Sequence, residues 1–279
     1  MGNGPEKAIA WHEHGPVDPD APGEPVLMIM GLAASSRMWF RLVPWISQRH
    51  RAVLIDNRGT GSSPPVRSKL TMASLARDAL EALDEAGVES AHVIGASMGG
   101  MIAQHIALDH RDRVRSLVLA CTTPGGGGGV PPWRMLAASA LRPLVGSRRA
   151  FPIVAPLLYT AKTREQRPER LREDLECRIA DDTSIRTVSA QMSAIAGHDT
   201  RDRLAELAGL PTLVLHGLDD ALIPPDRGRD LAELIPGAQL ELIAECGHIL
   251  GTDAEEQTAA AILTHLERSA APAPAAPAR

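Results

Sequence analysis

Aromatic side chains are scarce in this 279-residue chain, at 3% of positions. Basic charge is short as well: 29 Lys and Arg face 34 Asp and Glu, a net charge of −5. Nucleic-acid binding draws on a phosphate-neutralising surplus and on stacking platforms, and both are missing. The three cysteines, Cys121, Cys177 and Cys246, are odd in number and widely spaced. They offer neither a disulfide framework nor a zinc-ligand pattern. The longest apolar run, Pro25 to Ala34, falls far below the ~20 residues of a membrane span. The opening residues MGNGPEK carry no apolar segment of signal-peptide type, so a cytoplasmic location is expected.

What is present points to an α/β fold. Short apolar runs at Val26–Met30, Ala52–Ile55, His92–Ile94, Ser116–Ala120, Thr212–Leu215 and Leu240–Ile243 read as strands. Most are continuous rather than alternating, as in a parallel sheet covered on both faces. Helical spacing fills the intervals at Ser36–Ile46, Met72–Ala86, Met98–Leu108, Arg227–Leu234 and Ala254–Leu266. Trp11 and its neighbours suit an antiparallel edge strand. After Thr123 the rhythm breaks at the glycine run Gly125–Gly129, and no convincing strand follows until Pro211. Loops beyond ~15 residues without structure are uncommon in compact domains. The stretch is therefore expected to be a helical insertion over the sheet, with apolar clusters at Met135/Leu136, Leu141/Leu144, Val154/Leu157/Leu158 and Met192/Ile195. Trp133, Phe151 and Tyr159 are its only aromatic residues, so any pocket it roofs should be mainly aliphatic. The expected division is a core of 1–124 and 197–268, an insertion of 125–196 and a disordered Ala/Pro-rich tail of 269–279.

One local pattern carries chemistry. Gly95-Ala96-Ser97-Met98-Gly99 follows a strand and opens a helix, the context in which Gly-x-Ser-x-Gly lifts a serine above the sheet. The sharp turn brings backbones together where Gly95 and Gly99 stand, and the helix N-terminus beneath Ser97 favours negative charge. A serine nucleophile needs a base. His248, in Glu245-Cys246-Gly247-His248 after the last strand, lies on the same carboxyl edge of the sheet. His105 is about two turns along the serine's own helix, too far to reach the hydroxyl. His12, His14, His50 and His110 suit surface or packing roles, His92 and His216 suit buried ones, and His198 and His265 are expected to be solvated. An acid to orient the imidazole is offered after the Thr212–Leu215 strand, where the spacing leaves Asp219 and Asp220 equally eligible. Backbone N–H groups of Leu32 and Met98 are candidates for an oxyanion hole.

These parts, in the order serine, acid, histidine, resemble the α/β-hydrolase superfamily from about Ala8 to Leu266. Met30-Gly31 through Trp39 is similar to the His-Gly-x-x-x-Ser-x-x-x-Trp segment of that family, with Met30 in place of the histidine. Asp56-Asn57-Arg58-Gly59-Thr60-Gly61-Ser62-Ser63 matches its Asp-x-Arg-Gly-x-Gly-x-Ser turn. His216-Gly217 through Pro224 fits His-Gly-x-x-Asp-x-x-x-Pro, a register that selects Asp220. The resemblance implies an α/β-hydrolase fold with a helical cap, and a serine esterase or lipase that needs no metal or organic cofactor. Polyketide methylesterases and cofactor-free haloperoxidase or perhydrolase types are similar in style. The expected partner is a small-molecule ester with an apolar acyl or ring group. Perhydrolysis, lactone opening and C–C bond hydrolysis use the same triad and stay open, as does a non-catalytic small-ligand receptor of the same fold.

Overall fold

The computed structural model describes residues 8–17, 23–126, 134, 137, 141–142, 144–181 and 183–270. Seven strands form one sheet: β1 (Trp11–His14), β2 (Gly23–Ile29), β3 (His50–Ile55), β4 (Ala91–Ala96), β5 (Val114–Ala120), β6 (Thr212–Gly217) and β7 (Gln239–Ile243). Their spatial order is β1-β3-β2-β4-β5-β6-β7. Only β1 runs antiparallel, pairing Trp11 with Ile55, as the edge-strand expectation had it. Alternation along β2 shows why both faces are covered. Leu27 and Ile29 pack with the helices α2 (Met72–Glu85) and α3 (Met98–Asp109), while Val26 and Met28 face the opposite layer. That second layer holds Val43 and Ile46 of α1 (Val43–Ile46) and Ile262 and Leu266 of the last helix.

The strand following β2 in the chain lies on one side of it, and β4 lies on the other. The topological switch point therefore falls between β2 and β4, where open α/β sheets place their ligands. Between β5 and β6, ahead of a 3-10 helix at Arg201–Leu207, lie α4 (Ser147–Leu158), α5 (Ala161–Gln166), α6 (Pro168–Ala180) and α7 (Ile185–Ala196). They roof the carboxyl edge of the sheet. Beyond β6 come α8 (Asp226–Leu234), the single turn α9 (Leu250–Asp253) and α10 (Glu255–Ser269). Among the described residues no strand interrupts α4–α7; only an isolated bridge joins Gly125 to Asp199.

Three expectations need correction. The helix anticipated over Ser36–Ile46 is a 3-10 turn at Ser36–Trp39 followed by α1, because Pro44 fits only the first turn of a helix and restarts it. α10 continues through Ser269, into the segment assigned to the tail. The remaining 271–279, with Trp133 and the Met135/Leu136 pair, lie outside the described residues. The third correction concerns His198 and His265, expected in solvent but each only 4% exposed. His198 sits against the His105 ring and meets the Thr123 carbonyl, and His265 faces inward from α10.

Burial holds both imidazoles down to about 4, helped by the nearby His105 for His198 and by His92 and Arg268 for His265. The unfolded chain binds these protons near the ordinary value of 6.5, so it gains protons before the folded one does. The stability they hold is complete above pH 6.5 and is lost as pH falls towards 4. By about pH 4.5 each histidine is expected to have cost on the order of 2 kcal/mol. Urea unfolding across that range checks this: the double variant His198→Gln/His265→Gln should show the shallower pH slope.

Candidate active site

β4 ends at Ala96 and α3 begins at Met98, leaving Ser97 alone to reverse the chain. It adopts φ 55° and ψ −120°, a region that non-glycine residues enter at about 1–3 kcal/mol. The surroundings hold it there. Ser97 N–H donates to Ala120 O at 2.8 Å, and Ser97 O accepts from Thr122 Oγ1 at 2.7 Å and Gly100 N–H at 2.9 Å. A Cβ at Gly95 would lie 2.3 Å from Gly99 O, and one at Gly99 would lie 2.1 Å from Ile29 O. Side chains at either glycine are thus excluded by backbone, as the motif anticipated. Gly31 touches the serine directly, since a Cβ there would stand 2.9 Å from Ser97 Cβ.

His248 and Asp220 are brought together. His248 Nδ1 lies 2.7 Å from Asp220 Oδ2, and both residues are buried. The other oxygen, Asp220 Oδ1, accepts from Leu222 and Ile223 N–H at 2.9 Å each. Burial alone would raise the Asp220 carboxyl. The His248 charge and hydrogen bonds from His216, His248 and Ile223 outweigh it and hold the group well below the usual carboxylate range. Asp219 is exposed, and its N–H donates to Cys246 O at 2.9 Å. Geometry thus separates two aspartates that spacing alone left equal.

His216 is fully buried, as expected, but its place was not anticipated. Its Nε2 lies 2.9 Å from Ile223 O and 3.4 Å from Asp220 Oδ2, so it braces the acid's loop. The segment leading out of α4 was missed as well. Leu158 O accepts from His248 N–H at 3.0 Å and Ile249 N–H at 3.1 Å. Asp253 Oδ2 accepts from Gly247 N–H at 2.8 Å and Thr160 N–H at 3.2 Å, fastening the histidine loop to that segment. Burial pushes the Asp253 carboxyl up. A lone aspartate ahead of a helix reads from sequence as an end cap, which concealed this role.

The turn after β2 carries Leu32. Its departure from the family pattern at Met30 leaves a different brace: Asn57 Nδ2 donates to Met30 O at 2.8 Å. Asp56 Oδ1 accepts from Ser36 N–H at 2.8 Å while its Oδ2 accepts from Ser62 N–H at 2.8 Å. Neighbouring Ala33, at φ 56°, is gripped from the roof. Its N–H donates to Gln191 Oε1 at 2.9 Å, and its carbonyl accepts from Thr183 Oγ1 at 3.2 Å. Neither Leu32 N–H nor Met98 N–H meets an acceptor among the described residues.

Ser97, His248 and Leu32 line one cavity of about 540 Å³. Its roof is aliphatic, with Val154, Leu157, Leu175, Ile179, Val188 and Met192, and Phe151 is the one aromatic ring of Phe, Tyr or Trp type that lines it among the described residues. Tyr159 is buried behind that ring, the two ring centres 6.1 Å apart. Two arginines, Arg142 and Arg178, also face the cavity, and sequence reading passed over both. Arg178 could have been noticed, because Leu171, Leu175 and Ile179 mark an apolar stripe on α6 that Arg178 interrupts. Cys121, Asp220 and His248 place ligand atoms within 4.8 Å of one another. The Cys121 thiol is pushed up by burial and by Asp220, which disfavours the thiolate a metal requires.

This sheet order, with a serine at its switch point and a roofed cavity above, defines an open, mostly parallel α/β fold with a polar cluster at the carboxyl edge of its sheet. The sequence profile described as alpha/beta hydrolase fold matches residues 24–254, and the chain belongs to that family. It is 30% identical to a protein named carbamate hydrolase RutD from Variovorax paradoxus, over 95% of this chain and 98% of that one. It is 31% identical to a 2-hydroxy-6-oxononadienedioate/2-hydroxy-6-oxononatrienedioate hydrolase from Cupriavidus pinatubonensis, covering 83% and 82%. A thermophilic esterase from Thermogutta terrifontis superposes with a TM-score of 0.81 at 26% identity, covering 94% and 93%. The chain is a hydrolase by these likenesses. Among the described residues no helix is long and apolar enough to cross a membrane.

Proposed function

We propose that the chain is a serine hydrolase that cleaves a carboxylic ester through an acyl-enzyme. The observation that carries this reading is the His248–Asp220 pair at 2.7 Å, opening on the cavity that Ser97 also lines. His248 Nε2 takes the Ser97 proton as Oγ attacks the ester carbonyl. The oxyanion is received by the Leu32 and Met98 N–H groups, whose lack of another acceptor supports that role. The imidazolium then returns the proton to the departing alcohol. A water deprotonated by His248 attacks the acyl-enzyme and releases the acid and free Ser97. Asp220, held ionised, keeps the Nδ1–H tautomer and balances the charge that forms on the ring.

A carbamate ion, suggested by the relatives' name, fills only a corner of a cavity whose size suits ligands with many more atoms. C–C bond hydrolysis is the second reading, favoured by the 31% identical oxononadienedioate hydrolase and needing the same three side chains. Labelling by a fluorophosphonate probe tests the serine chemistry common to both. Modification is expected at Ser97, and folded protein left unlabelled favours a receptor. A panel of 4-nitrophenyl esters, a lactone and a vinylogous 1,5-diketone then separates the leaving groups.

Gln191 enters this mechanism as a positioning residue, because it fixes the peptide next to the Leu32 donor. Gln191→Leu removes the acceptor for Ala33 N–H without opening a large void. The expected result is about a tenfold to hundredfold lower kcat for 4-nitrophenyl butyrate with little change in KM. A rise in KM at constant kcat would instead assign Gln191 to substrate binding.

A further inference from the structure

The catalytic cavity has an uneven charge. In a chain with a net charge of −5, its lining among the described residues contains two arginines and no aspartate or glutamate. Arg142 is engaged, donating to Ser147 Oγ at 2.9 Å and to the Thr183 carbonyl. Arg178 is different. Its guanidinium stands beside the buried Tyr159 hydroxyl, yet its Nε is buried with no hydrogen-bond partner among the described residues.

Among the described residues, the carboxylates around Arg178 are committed elsewhere. Asp174, one turn away on α6, meets Arg41 at 3.5 Å, accepts from Thr252 Oγ1 at 2.6 Å and shares the Tyr159 hydroxyl with Arg178. Asp181 pairs with Arg37 at 2.9 Å and accepts from Ser35 Oγ at 2.7 Å. Glu176 is held by Arg148 at 2.7 Å on the outer surface. Of the positions in the insertion outside the described residues, Asp182 alone is acidic, and the stretch 127–143 has no acidic residue in its sequence. A guanidinium on the apolar face of a helix normally brings its counter-ion with it, because an unpaired charge in an apolar lining is costly. Stabilising the end of α6 does not explain the position either, because a solvated side chain does that equally well.

We propose that Arg178 binds a carboxylate at the far end of the substrate's acyl chain, so that the enzyme acts on half-esters of aliphatic dicarboxylic acids. Carboxylate matches the planar fork of guanidinium, whose edge donates two parallel N–H···O bonds to the two carboxylate oxygens. Leu175 and Ile179, flanking Arg178 on α6, and Val154 and Leu157 on α4 supply the wall for the methylene chain between the two ends. Such a subsite turns a permissive aliphatic pocket into a selective one. A neutral ester of equal length leaves Arg178 Nε without an acceptor, whereas the half-ester supplies one. This assignment rests on Ser97 being the nucleophile, but the binding of the carboxylate can be measured apart from the reaction.

The test uses monomethyl and dimethyl succinate, adipate and suberate, so that each half-ester is compared with a neutral ester of the same chain. Binding is measured by calorimetry on Ser97→Ala protein, where nothing is consumed, and methyl ester hydrolysis is measured on the wild type. At the best chain length the half-ester is expected to lead its diester by about tenfold or more in both affinity and kcat/KM. Arg178→Gln should lower that ratio about ten- to a hundredfold, and Arg178→Lys should restore part of it. No half-ester leading its diester at any length overturns the proposal, and so does a ratio that Arg178→Gln leaves unchanged. Should Arg178→Gln fail to fold, Arg178→Lys and the wild-type ratios decide alone. Failure of the serine mechanism shows itself differently, as hydrolysis that survives in Ser97→Ala while the binding preference stands.

Discussion

Ser97→Ala is expected to lower kcat for a 4-nitrophenyl ester by about 10⁶-fold, the scale on which triad hydrolases respond to loss of the nucleophile. The effect is this large because no neighbour can stand in. Cys121 is the closest chemical substitute, but its thiol is buried, 3.9 Å from Gly247 O, and raised well above its ordinary pKa. Folding should survive the change. Ser97 holds its place through backbone bonds to Ala120 and Thr122, and alanine keeps those bonds while accepting the same positive φ at similar cost. Residual turnover of about 10³–10⁴ over water is expected from the Leu32 and Met98 amides and from binding. Turnover within tenfold of wild type, in protein free of contaminating esterase, would falsify the nucleophile assignment. KM should stay near its wild-type value, because the hydroxyl contributes mainly to the transition state.

How much was legible before the structure depended on whether the signal was local. The serine turn was readable because Gly95 and Gly99 face backbone at 2.3 and 2.1 Å, and only one residue type satisfies that contact. The strands were readable because a sheet covered on both faces writes its burial as continuous apolar runs, as at Leu213–Leu215 in β6. His248 was legible through its place after the last strand. What stayed hidden depends on contacts far apart in sequence. Gln191 meets Ala33 across 158 positions, and Asp253 meets Thr160 across 93. Nothing in their own neighbourhoods distinguishes them from a surface glutamine or a helix cap. His198 and His265 failed for the same reason: their burial is decided by His105 and by the helix face packed on the sheet, whereas adjacent residues suggest solvent. Arg178 falls between these cases, because its apolar stripe was visible but the cavity in front of it was not.

The paired aspartates 219 and 220 allow the acid to be assigned by experiment with an internal control. Asp220→Asn is expected to lower kcat by about 10⁴-fold. An amide in this place can offer its NH₂ to Nδ1 and so favour the tautomer with the proton on Nε2, which cannot accept from Ser97. It also removes the negative charge that balances the imidazolium. The loop itself should tolerate the change, because the amide oxygen can still accept the Leu222 and Ile223 N–H groups now held by Oδ1. His216, 3.4 Å from Oδ2, adds a second reason for a large effect, since its ring is oriented by the same carboxylate. Asp219→Asn serves as the comparison. Its side chain is exposed, and only its backbone N–H is used, by Cys246 O, so a change of less than about threefold is expected. Rates for the two variants at equal thermal stability separate them by more than three orders of magnitude on this account. Equal, mild losses would mean that His248 finds its orientation from Leu158 and the loop backbone alone, and the aspartate would then be a structural ligand of the Leu222–Ile223 turn.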